Sequence, residues 1–307
     1  MYRSPFLAAF TLAALAPVCV SAQHTDGPEI RVTGERIVEP EAIQDAVRDM
    51  AIEQRYDEPL LRFHDPLCLS VSGLGLVASA QVRDRMLANA RAAGVPVAKK
   101  GCRANGLLIV TDDPGALVKG IEKTQPKLIS VVEQRRLDVA LARGETVLVW
   151  HNEEPRGTEG QNLPMRAAVP GMPVTGSFSQ FGAEHRINSH GRARRVEPAN
   201  SRNVVSGVVI LDIRRLVGMD LGRVADFATM RLLVPGMRAA PEARDSAEKR
   251  QINRPQSILD PFVAERGAER MTRFDRAWLR ALYDLAPNAA STSLGETIAR
   301  IYARDGT

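Results

Sequence analysis

The segment Leu107-Leu108-Ile109-Val110, closed by Asp112-Asp113-Pro114, sets the architecture of this chain. Four consecutive apolar residues without polar alternation read as a strand covered on both faces, the pattern of a central strand in a layered sheet. Downstream, Leu117, Val118 and Ile121 mark a helix, a second helix covers roughly 128–142, and Thr146-Val147-Leu148-Val149-Trp150 returns as a strand. Upstream, Leu67-Cys68-Leu69-Ser70-Val71 is a strand. Ser79 then reads as the cap of a helix whose Val82, Met86, Leu87 and Ala90 share one face, and Gly94 stops it. Val95-Pro96-Val97 is short and extended.

The second half supplies fewer strands. Val204 to Ile213 is one, leading through Asp220 into a helix from Leu221 to Val234 with Leu221, Val224, Ala225, Ala228 and Leu232 in one stripe. Thr272 begins another helix, with Phe274, Trp278, Leu279 and Leu282 inward, and Ser293-Leu294-Gly295-Glu296 reads as a capping box for the last. Strands and helices alternate early and helices gather late. The expectation is an α+β fold, a single mixed-sheet domain over 61–307 with a helical C-terminal part. Residues 153–203, rich in Gly, Pro, Ser and Arg, form a long loop or insertion in this reading, and 238–256 a charged surface loop. Residues 23–60 read as a loosely attached N-terminal arm, with a strand-like Glu29–Gly34 and a helix-compatible 41–53 carrying Ile43, Val47 and Ala51.

The N-terminus reads as an export signal. Met1-Tyr2-Arg3, an apolar run from Phe6 to Val18 and Val20-Ser21-Ala22 fit a signal peptide over 1–22, with the mature chain starting at Gln23. The run is too short to span a bilayer, so the expected location is the periplasm or outside the cell, with no transmembrane segment in the mature chain. Cys19 offers a lipoprotein alternative, with bulky Val18 where a small residue is wanted. Losing 1–22 removes one Arg and no acid, which takes the net charge from +5 to +4. That mild balance and a 5% aromatic share argue against a nucleic-acid partner. Cys68 and Cys102 remain; after export they read as one disulfide, with two free thiols or a zinc pair as alternatives.

No catalytic motif is present. The histidines, His24, His64, His151, His185 and His190, form no helical zinc pair, and His64 beside Asp65 fits a structural role. Neither Ser70-Val71-Ser72-Gly73 nor Gly176-Ser177-Phe178-Ser179 makes a nucleophile elbow, and Gly73-Leu74-Gly75 lacks the rest of a phosphate loop. Asp112-Asp113 and Glu153-Glu154 sit at strand ends, where turn chemistry explains them. The strongest charge cluster is Arg186, Arg192, Arg194 and Arg195 with His185 and His190, whose guanidinium groups suit a carboxylate or phosphate.

From Val204 onward, the order of strand, helix, Ser257-Ile258-Leu259-Asp260 and Met271-Thr272-Arg273-Phe274-Asp275 running to Leu282-Tyr283 resembles the second half of a metzincin-type zinc peptidase. The pieces Pro66-Leu67-Cys68, Cys102-Arg103-Ala104-Asn105 and Phe274-Asp275 to Leu282-Tyr283 also resemble a set of uncharacterised secreted alphaproteobacterial proteins. The resemblance implies a peptidase scaffold, with a metal-binding helix and a tight turn carrying Met. This chain departs at those two places, with Val224-Ala225-Asp226-Phe227-Ala228 where the ligands belong and Leu259 at the Met position. Zinc needs about three protein ligands, so neither cofactor nor metal is expected. The functional expectation is an exported, non-catalytic protein that binds a peptide or an anionic envelope component, with His185, His190, Arg192, Arg194 and Arg195 as candidate contacts. The alternative is an envelope hydrolase with a site built from His151, Glu153, His185 and His190.

Overall fold

The strand around which the sheet is assembled is Ser201–Asp212, here β5. The structure is a computed structural model describing residues 38–51, 58–163, 198–237, 254–260 and 268–305. On one side of β5 stands β3 (Gly106–Thr111), parallel, in the register Gly106↔Gly207 to Thr111↔Asp212. Beyond β3 lies β2 (Leu69–Ser72), also parallel. A two-residue β1 (Leu61–Arg62) joins β5 at Arg202 and Asn203. On the other side β4 (Val147–Arg156) runs antiparallel to β5, with a register shift at Asn152/Glu153. The sheet is thus mixed and largely parallel. The expected central strand is flanked on both sides, although β5, which touches three partners, is the hub.

Helices cover both faces, which is why β3 and β5 read as unbroken apolar runs. Leu108, Val110, Val209 and Leu211 face a large core with α2 (Leu76–Ala92), α5 (Leu221–Leu233), α6 (Arg273–Asp284), α7 (Leu294–Arg304) and α1 (Pro40–Met50). Val208 and Ile210 face a smaller one with Leu148, Trp150 and residues of α3 (Pro114–Thr124) and α4 (Val131–Ala142). Asp113, Ser130 and Asp220 cap α3, α4 and α5 through side-chain oxygens, and Thr272 with Asp275 forms a full capping box on α6.

The structure corrects several expectations. The described part of the proposed arm is not loose: α1 buries Ile43, Ala46, Val47 and Met50 and packs along α7, so it belongs to the domain. α2 begins at Leu76 after Gly75, and the Ser79 hydroxyl donates to Leu74 O instead of capping. Ser293 likewise makes no cap; its hydroxyl donates to Ala290 O within a 3-10 turn. The insertion is narrower than 153–203, because 153–156 extend β4 and 201–203 open β5. Cys68 and Cys102 form a disulfide with Cα atoms 6.0 Å apart, joining the entries of neighbouring strands β2 and β3. The chain-entropy model assigns such a loop about 3–4 kcal/mol. Residues 1–22, most of 153–203 and nearly all of 238–256 lie outside the described residues. Among the described residues no helix is long and apolar enough to cross a membrane.

Candidate functional site

Among the described residues β4 presents an apolar edge that no strand pairs, and the register identifies its atoms. The Asp212 amide donates to Thr146 O at 3.0 Å, and the antiparallel ladder then directs the backbone groups of Leu148, Trp150 and Asn152 toward β5. On the far side of β5 the Gly207 amide donates to Asn105 O at 2.9 Å, so alternate residues of that strand serve β3. The N–H and C=O groups of Val147, Val149 and His151 therefore point away from β5, and among the described residues no strand pairs with them. Below the bulge the edge is blunted by Glu153, Glu154 and Pro155, the usual protection of an edge strand. The half from Val147 to His151 carries no charge and no proline.

Side chains hold this half firmly. Leu148 and Trp150 are buried in the smaller core, with Trp150 Nε1 and Asn152 Nδ2 donating to Leu128 O at 2.9 and 2.8 Å. Val147 and Val149 are half-buried against the larger core. His151 reaches under the sheet to Leu232 O at 2.9 Å. A carbonyl only accepts, so Nε2 carries the proton and donates it. Burial pushes this imidazole down to about 4, helped by the neighbouring Arg231 charge. Gly207 makes room for the contact: a Cβ there would stand 2.8 Å from Leu232 Cδ1 and 3.0 Å from His151 Cδ2. Arg231, pushed down to about 10 by burial, donates to Met237 O at 2.8 Å.

His151 is thereby committed to the backbone, and Glu153 is held by Arg202 at 2.5 and 2.9 Å, so the structure does not assemble a hydrolytic pair from them. His185, His190, Arg192, Arg194 and Arg195, with Arg186, lie outside the described residues. Asp113 is a helix cap and Asp212 is held by Arg214.

The helix that the peptidase resemblance associates with zinc is buried all round along its middle. Val224 to Met230 are all inaccessible, not only the stripe at Val224, Ala225 and Ala228. Asp226, fully buried, accepts from Arg85 Nε and Nη2 at 2.7 Å each, from Asn89 Nδ2 at 2.8 Å and from the Met271 amide at 2.9 Å. Its oxygens are fully used, and no second ligand stands on the helix. These residues do not fit the metal.

A second polar network escapes sequence inspection. Asn203, fully buried, donates to Asp65 and Glu154 and accepts the His64 amide at 2.9 Å; Arg156 pairs with the same two carboxylates. Arg62 donates to Leu282 O and Leu285 O at the end of α6. Burial, then Arg62 and Arg156, push the His64 imidazole down to about 4. Its charges balance within the network, which fastens the lower end of the sheet to α6. Comparison with models of known families, with curated proteins and with solved structures finds no match.

Proposed function

We propose that this chain is an exported, non-catalytic protein that binds an extended peptide along the open half of β4. The backbone groups of Val147, Val149 and His151, which no strand among the described residues pairs, support the reading. A row of donors and acceptors at strand spacing is matched by another extended backbone, which supplies affinity through main-chain bonds and selectivity through alternate side chains. A second copy of the chain is a poorer fit: the antiparallel register that overlaps all three residues sets Glu153 of one copy opposite Glu145 of the other, twice by symmetry. The disulfide supports the exported setting. The order β5, α5, the Ser257–Asp260 turn and α6 supports a scaffold related to zinc peptidases that has given up the metal.

Val149→Pro tests the reading. It removes one outward N–H and leaves the bonds to β5 intact, and proline is tolerated at such edge positions. A capped peptide of alternating threonine and valine, labelled for fluorescence anisotropy, should bind the wild type and bind Val149→Pro at least about tenfold more weakly, given roughly 1 kcal/mol per backbone bond and the added clash. Methylating alternate amides of the peptide should abolish binding. Equal binding of plain and methylated peptides, or no saturable binding, refutes the proposal.

A further inference from the structure

A second surface is marked by charge. From Arg85 to Thr111 the chain contains no acidic residue, and Arg85 itself is spent on Asp226. Four cations remain, Arg91, Lys99, Lys100 and Arg103, all exposed and without an ion pair among the described residues. Three of them crowd the loop Lys99-Lys100-Gly101-Cys102-Arg103, every residue of which is exposed.

This loop is held at both ends. The Leu67 amide donates to Pro96 O at 2.7 Å and the Ala98 amide to Leu67 O at 2.9 Å. On the return side the Asn105 and Gly106 amides donate to Cys68 O, the Asn105 side chain bonds to the Cys68 amide and Pro66 O, and the Cys68–Cys102 disulfide closes the base. A loop pinned in this way gives up little backbone entropy when its cations meet a partner.

The loop's composition selects among anionic partners. Between Val97 and Ala104 there is no aromatic ring to stack on a base or a sugar and no amide or hydroxyl side chain to read sugar hydroxyls. There are only cations on small residues. We propose that the Lys99–Arg103 loop docks the protein on an anionic lipid surface, held by headgroup phosphates in a salt-dependent manner. The surface is separate from the peptide edge, because β2 and β4 stand on opposite sides of the β3–β5 pair.

The test is co-sedimentation of protein recovered from expressing cells with phosphatidylcholine vesicles containing about a third phosphatidylglycerol, and with pure phosphatidylcholine. Binding should require phosphatidylglycerol and fade between about 0.05 and 0.3 M salt. Each cation is worth about fivefold, so K99A/K100A/R103A should bind on the order of a hundredfold more weakly with an unchanged melting temperature. K99R/K100R, which keeps the charge, should bind as the wild type does. Val149→Pro should leave vesicle binding intact, which separates this inference from the peptide reading. The inference fails if the wild type ignores phosphatidylglycerol, if K99A/K100A/R103A binds normally, if K99R/K100R loses binding, or if soluble heparin is bound while vesicles are not.

Discussion

Asp226→Ala should be strongly destabilising. The carboxylate joins three parts of the chain: Arg85 and Asn89 on α2, its own helix α5, and the Met271 amide at the entry to α6. Arg85 is 41% exposed and can return to water, so its loss of a partner costs little. The Met271 amide is buried and would be left without an acceptor, and the Asn89 amide would keep only Thr229 Oγ1 at 3.2 Å. At roughly 1–3 kcal/mol for each stranded donor, plus the packing lost, the total is about 4 kcal/mol, within the range for breaking a buried pair. With m near 3 kcal/mol/M, the urea midpoint should fall by more than about 1 M. Asp226→Asn keeps an oxygen for the Met271 amide and should lose roughly half as much. Arg85→Ala added to Asp226→Ala should cost almost nothing further, because the shared interaction is already gone. A midpoint for Asp226→Ala within about 0.3 M of wild type would show that the network carries no stability and that the carboxylate is free for other chemistry.

Ala228→Glu should yield insoluble or strongly destabilised protein, since Ala228 is fully buried and an unpaired buried charge costs several kcal/mol; a soluble variant melting within a few degrees of wild type refutes the packing. Acid should also destabilise the protein. His151 and His64 have folded values of about 4, below the ordinary 6.5, so the unfolded chain takes up protons that the folded one refuses, and stability present above about 6.5 is lost as pH falls toward 4. Asp275, pushed up to about 6 by burial, works the other way: its contribution is present in acid and lost as pH rises through 6. Burial also raises Asp260 and Glu133, which oppose the histidines, while the Arg214 and Arg270 partners lower Asp212 and Asp220, which act with them. With roughly 3 kcal/mol from His151 alone the net is a loss in acid, and a urea midpoint at about pH 4.5 equal to that at about pH 7.5 would refute it.

What the sequence conveys and what it hides follow from the range of the interactions. β3 and β5 are legible because burial on both faces writes an unbroken apolar run into a few adjacent residues. The helix at α1 is legible from Ile43 and Val47, but its attachment is not, because its partner α7 lies some 250 residues away in sequence. The stripe on α5 understates burial for the same reason: α2 covers the side that carries Asp226, and Arg85 stands 141 positions from it. The networks at Asn203 and Asp226 both depend on such distant partners. The edge position of β4 among the described strands is intermediate. Val147 to Trp150 reads alike for an edge or an inner strand, but Pro155 inside the strand is the one local signal that it must lie at an edge.

The connection from β4 to β5 is long for antiparallel neighbours. Antiparallel neighbours can be joined by two residues, yet here residues 157–200 intervene. Loop closure grows only slowly with length, so the sheet tolerates the insertion provided its root is fastened. It is: the Ser201 hydroxyl donates to Gly157 O at 2.7 Å, and Gly160 turns back over His64 so closely that a Cβ would lie 2.8 Å from Nδ1. The described ends are therefore locked in register with Arg156↔Ser201, independently of what the intervening residues do. The His185, His190 and Arg192–Arg195 cluster belongs by sequence to the segment that leaves the lower end of β4. That lower end is held by Asn203 and Arg156 on the shared carboxylates of Asp65 and Glu154, with Arg62 on β1 tying the neighbouring strand to Leu282 O and Leu285 O, whereas the Lys99–Arg103 loop is pinned separately by its own disulfide.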